Sequence, residues 1–217
     1  MAKLKVAALI SGRGTNLQAL IDACASPDFP AEIAAVICNE PEARGIRRSR
    51  AAGIPVAIVN HRAFESREAF DTALTEAIRA SGAEFVCLAG FMRVVTQDFV
   101  RTWYNRLINI HPSLLPAFRG LNTHARALDA GVRFAGCTVH FVRAEMDAGP
   151  IIAQAAVAVL DGDTPETLAR RVLEAEHRIY PLALRLIAEG RVRVADEVVR
   201  ISGAAAPEGL LINPLDD

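Results

Sequence analysis

The sequence predicts an α/β domain of the doubly wound kind, with a mostly parallel sheet, antiparallel strands in its C-terminal half and helices on both faces. Three observations predict it. Five short runs, at 5–10, 31–38, 54–59, 85–90 and 107–110, are almost wholly apolar instead of alternating, as strands are when a parallel sheet is covered on both sides. Segments of helical periodicity separate them. A glycine-bearing turn, Ser11-Gly12-Arg13-Gly14-Thr15-Asn16, follows the first run directly, at the carboxyl edge of the sheet where such folds gather ligands.

Taken in order, "KVAALI" (5–10) opens the sheet and "TNLQALIDACA" supplies the first helix. "AEIAAVIC" (31–38), "ARGIRRSRAAG", "IPVAIV" (54–59) and "SREAFDTALTEAIRASG" repeat the alternation, the last helix stopping at Gly82. "FVCLAG" (85–90) and "LINI" (107–110) complete the parallel part. The second half is patterned differently. There "GCTVHFV" (136–142) and "PIIAQAAVAVL" (150–160) read as two strands joined by a turn through Asp147, Ala148 and Gly149. A long helix follows within 161–190, with Thr164 at its N-cap, Pro165 at its first position and Leu168, Val172, Ala175 and Ile179 as its apolar stripe. Pro181 is expected to kink or break it. "VRVADEVVRI" (192–201) reads as a terminal hairpin. Residues 1–202 are therefore expected to form a single domain, and 203–217, which lack periodicity, a mobile tail.

Composition narrows the function. With 217 residues, 52% hydrophobic and 23% charged, the chain has material for one sizeable core. A formal net charge of -1 and a pI near 6.5 leave no basic field for a polyanion, so no nucleic-acid partner is expected. No apolar stretch approaches the roughly 20 residues that span a bilayer, and the N-terminus runs into a glycine turn instead of a cleavage site. No membrane association and a cytoplasmic location are the expectation. Cys24, Cys38, Cys87 and Cys137 form no C-x-x-C pair and read as buried thiols. The five histidines show no ligand pairing, so no metal is expected.

Two clusters carry chemistry. In the turn after the first strand, the N–H groups of Gly14, Thr15 and Asn16 and the Thr15 hydroxyl suit a single terminal phosphate. A dinucleotide fingerprint would want glycine where Leu17 stands and an acid near Asn39, and a P-loop would want a lysine. A plain strand-to-helix turn is the alternative at this point. In the second cluster, His111 ends "LINI", Asn109 shares its strand face by the two-residue period, and Asp147 stands in a turn expected at the same edge. Pro112 and Pro116 stiffen the loop between. An aspartate beside a histidine orients the ring and favours the cation. Ser113 lacks the setting of a nucleophile. Asparagine, histidine and aspartate can instead stabilise an oxyanion and move protons while an amine attacks a carbonyl, which is acyl transfer between two bound substrates.

Several stretches, "ALISGRGTNLQALI", "LAGFMRVV", "INIHPSLLPAFRGLNTHARAL", "GCTVHFVRAEMDAGPIIAQ" and "LEAEHRIYPLAL", in this order and spacing, closely resemble the phosphoribosylglycinamide formyltransferase family from about residue 4 to residue 200. The resemblance implies a Rossmann-like formyltransferase fold, with a phosphate-binding N-terminal half and a catalytic, folate-binding C-terminal half. It also implies formyl transfer from 10-formyltetrahydrofolate to the amine of phosphoribosylglycinamide in purine biosynthesis, by a monomer or homodimer. Asn109, His111 and Asp147 match the family's catalytic residues, and Gly14, Thr15 and Asn16 its substrate-phosphate segment. Glu176 matches the acid that holds ribose hydroxyls. Met92, Arg93, Val94 and Val95 match the segment around the folate pterin, with Val95 where the family usually has leucine. Arg143, Ala144, Glu145 and Met146 match the loop at the pterin edge, and Arg67 a position near the folate carboxylate tail. Without the resemblance, Glu176 and Arg93 would read as solvated charges and His140 as a hydrogen-bonded core residue that could face the site. His124 lies near enough in sequence to reach the cleft. Related folate deformylases carry a domain ahead of the catalytic one, whereas this chain opens at its first strand, so transfer is expected over hydrolysis. Transfer to a tRNA amine would want basic surface, and an NAD-binding module rests on Gly12 and Gly14 alone.

Overall fold

The computed structural model describes residues 2–205 and 208–214. In chain order its elements are β1 (Leu4–Ile10), α1 (Thr15–Cys24), β2 (Ala31–Cys38), α2 (Gly45–Ala51), β3 (Val56–Ile58), α3 (Arg67–Ala80), β4 (Phe85–Leu88), α4 (Gln97–Thr102) and β5 (Leu107–His111). They continue with α5 (Thr123–Asp129), β6 (Phe134–Phe141), β7 (Ile151–Ala158), α6 (Pro165–Ala188), β8 (Val192–Ala195) and β9 (Val198–Ile201). Seven strands form one sheet in the order β3-β2-β1-β4-β5-β6-β7, parallel as far as β5 and antiparallel in the last two pairings. The chain winds outward from β1 to β3, then returns to β4 on the other side. The crevice between β1 and β4 is thus the topological switch point, where the loops part and leave room for a ligand.

The unbroken apolar runs have a direct cause. Val6, Ala8 and Ile10 enter the core under α1 and α6, while Ala7 and Leu9 enter a second core with Phe70, Leu74 and Ile78 of α3 and Phe99 of α4. Both faces of β1 are covered, so neither can be polar. Val6 through Ile10 are fully buried.

Helix α6 starts as its sequence dictates: the Thr164 hydroxyl accepts from Thr167 N–H at 3.3 Å and the Thr167 hydroxyl accepts from Thr164 N–H at 2.9 Å. Of the two expected outcomes at Pro181, a kink or a break, the break does not occur, and the helix runs on to Ala188. A proline inside a helix costs about 3 kcal/mol. Tyr180, Ala183 and Leu184 are fully buried beside it, and at about 1.5–3 kcal/mol for each large apolar side chain the packing offsets the lost hydrogen bond. The Tyr180 hydroxyl also donates to the Leu88 carbonyl at 2.9 Å, pinning the helix to the sheet.

Three of the four cysteines, Cys38, Cys87 and Cys137, are buried, and burial pushes Cys24 up to about 11 and Cys137 up to about 12. These thiols stay protonated. Strands β8 and β9 make a separate hairpin whose turn residues Asp196 and Glu197 both have positive φ, matching the twist of the two strands. Past Gly203, Asn213 Nδ2 donates to the carbonyls of Arg133 at 2.6 Å and Val159 at 2.9 Å. Of the expected tail, 206–207 and 215–217 lie outside the described residues. No helix among the described residues is long and apolar enough to cross a membrane.

Candidate active site

The carboxyl end of β5 organises the site. Antiparallel pairing sets Asn109 opposite His140 and His111 opposite Thr138, so Asn109, His111 and His140 share one sheet face. Thr138 fixes the following loop: its hydroxyl donates to the Ser113 carbonyl at 2.7 Å and accepts from Leu115 N–H at 3.1 Å, while Gln154 Nε2 donates to the Leu115 carbonyl at 2.9 Å. The loop then passes through three left-handed residues, Phe118, Gly120 and Asn122, before α5. This path brings the Phe118 carbonyl and the Gly120 N–H back over His111.

The turn after β6 delivers Asp147. Its φ is 53°, a region aspartate tolerates. Gly149 makes the turn possible, because a Cβ there would sit 1.7 Å from the Phe141 carbonyl oxygen. Asp147 Oδ2 accepts from Gly120 N–H at 2.9 Å and stands 3.4 Å from His111 Nδ1, and Oδ1 stands 3.8 Å from His140 Nε2. The carboxylate is 10% exposed and faces both histidines.

Partners assign the two rings different jobs. His140 Nδ1 lies 2.9 Å from the Phe141 carbonyl, which can only accept, so Nδ1 carries the proton. Burial holds His140 below the ordinary histidine range, against opposing pulls from the Phe141 carbonyl and Asp147. Its Nε2 is therefore a lone pair, and it accepts from Asn109 Nδ2 at 3.4 Å. That contact fixes which end of the Asn109 amide is the donor and leaves the second N–H free. His111 has an acceptor at each nitrogen: the Phe118 carbonyl 3.1 Å from Nε2, and Asp147 at Nδ1. A ring set between a carbonyl and a carboxylate has an acceptor facing either nitrogen, whichever carries the proton.

At the switch point, Gly14 has φ 69° and starts α1, and the first helical bond runs from Gln18 N–H to the Gly14 carbonyl. The N–H groups before Gln18 have no helix carbonyl to reach. A Cβ on Gly14 would meet the Cα of Gly45 at 2.8 Å, so the turn also depends on a glycine-to-glycine approach to α2. Asn16 Nδ2 donates to Glu176 Oε2 at 2.6 Å, joining the first helix to the last, and Asn16 Oδ1 is buried without a partner among the described residues. Burial raises the Glu176 carboxyl above its ordinary value, opposed by the Asn16 bond.

The structure therefore brings Asn109, His111 and Asp147 together, and Asn16 with Glu176. The segment with Met92, Arg93, Val94 and Val95 crosses the same edge, tied down where Met92 N–H donates to the Ser11 hydroxyl at 2.8 Å. Met92 and Val94 point into solvent, as does Met146 on the turn with Ala144 and Glu145. Glu145 pairs with Arg119. Arg67, exposed at the start of α3, has no hydrogen bond or ion pair to these groups among the described residues. Arg143 is bound to Glu197 at the tip of the β8–β9 hairpin. His124 is half-buried, with Nε2 unpartnered, and burial followed by the charge of His111 holds it below the ordinary histidine range. Sequence reasoning did not assign His140, Gly120 or Phe118 to the site. The cross-strand pairing that reveals His140 depends on β-register. Among the described residues no group of three His, Cys, Asp or Glu side chains could hold a metal.

Comparison with known families matches residues 4–184 to the formyl transferase family. A phosphoribosylglycinamide formyltransferase of Haemophilus influenzae is 42% identical over 204 residues, covering 94% of this chain and 96% of that protein. This chain belongs to the phosphoribosylglycinamide formyltransferase family. A solved glycinamide ribonucleotide transformylase of Symbiobacterium toebii superposes with a TM-score of 0.90 at 52% identity, covering 92% of this chain and 94% of that one. The trifunctional purine biosynthetic protein adenosine-3 of Bos taurus is 52% identical over 194 residues, and there the matched region is 89% of this chain but only 19% of that protein. The site described above lies at the carboxyl edge of the sheet, where doubly wound folds gather ligands.

Proposed function

We propose that this chain transfers the formyl group of 10-formyltetrahydrofolate to the amine of phosphoribosylglycinamide, giving formylglycinamide ribonucleotide and tetrahydrofolate in purine biosynthesis. The observation that carries this reading is the convergence of Asn109, His111 and Asp147 on one edge, with a donor amide oriented by His140. The substrate amine attacks the formyl carbon, a C–N bond forms, and the carbonyl electrons move to oxygen. The free Asn109 N–H and the His111 cation receive that oxyanion; His111 does so by releasing the Phe118 carbonyl. Asp147 balances the imidazolium and takes part in moving the amine proton to the departing folate nitrogen as the old C–N bond breaks. No covalent enzyme intermediate is required.

The remaining roles follow from position. The open N–H groups around Gly14, Thr15 and Asn16 take the substrate phosphate. Glu176, with the unpartnered Asn16 oxygen beside it, takes the ribose hydroxyls. Met92, Arg93, Val94 and Val95 on one side and Ala144, Glu145 and Met146 on the other take the flat pterin, and Arg67 the carboxylate tail. We read 1–202 as one domain, working in the cytoplasm as a monomer or homodimer.

The test is a spectroscopic assay of 10-formyltetrahydrofolate consumption with and without phosphoribosylglycinamide, repeated for His111→Ala. Turnover that needs the amine and disappears in the variant supports transfer. Turnover indifferent to the amine makes the chain a hydrolase, and no turnover at all defeats the reading.

A further inference from the structure

The turn that carries Asp147 is fastened at its first residue by a cluster the reaction does not use. Arg143 Nε donates to Glu197 Oε2 at 2.6 Å, and Nη2 donates to Asn105 Oδ1 at 2.7 Å and to Glu197 Oε1 at 3.3 Å. Nη1 donates to the Val142 carbonyl at 3.1 Å. The guanidinium lies 4.2 Å from the centroid of the Tyr104 ring, and the Tyr104 hydroxyl donates to Glu197 Oε1 at 2.7 Å. Three separate segments thus meet at one side chain: the turn before β5, the start of the Asp147 turn, and the tip of the β8–β9 hairpin. The Arg143 side chain is 12% exposed, and its Nε, Nη1 and Nη2 are engaged on Glu197, the Val142 carbonyl and Asn105.

We propose that Arg143 is a positioning residue: held by Glu197, Asn105 and Tyr104, it fixes the start of turn 143–147 and thereby the place of Asp147 against His111, and it does not contact the folate. The inference rests on the formyl-transfer reading of the site and departs from the folate-contacting role that resemblance implies for Arg143. Its opposite flank is held too, by the Gly120 N–H on Asp147 and by the pair of Arg119 with Glu145. A turn clamped on both sides keeps its aspartate at a fixed distance from the imidazole. Glu197 is 55% exposed, so the pair adds little stability by charge alone. What the forked guanidinium and the aromatic plate supply is direction.

The experiment compares kcat and both KM values for the wild-type chain, Arg143→Ala, Glu197→Ala, Glu197→Gln, the Arg143→Ala/Glu197→Ala double variant, and Glu197→Ala combined with Asp147→Asn. Since a displacement of about 1 Å at a reacting group can cost about 10²-fold, partial loosening is expected to lower kcat about tenfold in either alanine variant. The double variant should be no worse than the single ones, and Glu197→Gln, whose amide oxygen still accepts from Arg143, should recover most of the rate. In the Asp147→Asn background Glu197→Ala should add nothing, because the group it positions is gone. A rise in folate KM at unchanged kcat for Arg143→Ala would make Arg143 a ligand contact and overturn the proposal. So would an undiminished Glu197→Ala effect in the Asp147→Asn background.

Amide hydrogen exchange separates this inference from the reaction itself. Exchange across 144–148 should quicken in Glu197→Ala while β1 and α1 stay as in the wild type, and equal exchange in the turn would refute the clamp whatever the chain catalyses. A wild-type chain inactive on both substrates, with that quickening still seen in Glu197→Ala, would sink the formyl-transfer reading and leave the clamp standing. Arg133→Ala, which removes an exposed pair with Asp161 at the far end of β6, serves as the control and should leave turnover unchanged.

Discussion

Asp147→Asn is the sharpest perturbation of this site because it removes a charge while keeping the shape. The asparagine oxygen can still accept from Gly120 N–H, and its amide group would face His140 Nε2, a lone pair 3.8 Å from the present Oδ1. The fold should therefore survive, with Tm within about 2 °C of the wild type. What disappears is the anion 3.4 Å from His111 Nδ1. At that separation, with an effective dielectric of about 20, the attraction for an imidazolium is about 5 kcal/mol. Reorientation and water entry recover part of it, so a loss of about 10²-fold to 10³-fold in kcat, roughly 3–4 kcal/mol, is expected, as for other displaced charge-stabilising groups. The assay is steady-state formyl transfer at saturating concentrations of both substrates, following the folate product by absorbance. A kcat within about threefold of the wild type would remove Asp147 from the chemistry.

Other predictions are read by different means. Glu176→Gln should raise KM for phosphoribosylglycinamide about tenfold with little change in kcat, because it alters acceptor binding and leaves the transfer groups in place; a fall in kcat alone would contradict the ribose role. Gly149→Ala should cost about 3 kcal/mol or more and lower Tm by about 10 °C, since its Cβ would overlap the Phe141 carbonyl. Burial keeps His124, His140 and His177 below their usual 6.5, so in acid the unfolded chain takes up protons that the folded chain refuses. Their contribution to stability is complete above pH 6.5 and is lost as pH falls below it; Glu176, raised by burial, works in the opposite direction. Urea titrations at pH about 7.5 and about 5.5 should show the decline, and His140→Asn should shrink it by up to about one proton's worth of slope.

The sheet was legible because both faces of β1 are covered from Val6 to Ile10, which leaves a run of five residues with no polar position to blur it. Asn109 and His111 were legible together for a different reason: the two-residue strand period fixes their shared face without any knowledge of neighbours. His140 was not, since its facing depends on the antiparallel register with β5, and a slip of one residue would turn Val139 inward instead. The short helix α4 falls below the length at which periodicity becomes visible. The helix continues through Pro181 because local propensity is overridden by the burial of Tyr180, Ala183 and Leu184 around it. Arg143 shows the limit most plainly: its sequence position places the backbone at the site, while its side chain is drawn to Glu197, far along the chain.

The winding of the chain separates two tasks. Asn109, His111, His140 and Asp147 all come from one continuous stretch, β5 through the turn after β6, whereas the groups we assign to the acceptor come from the first turn and the last long helix. The bond-making cassette and the acceptor cradle therefore share no residue. Redesign follows the same seam: a new amine could be courted by changes at Thr15, Asn16 and Glu176 while the transferring groups remain as they are. A change inside the cassette would instead be felt with every acceptor alike.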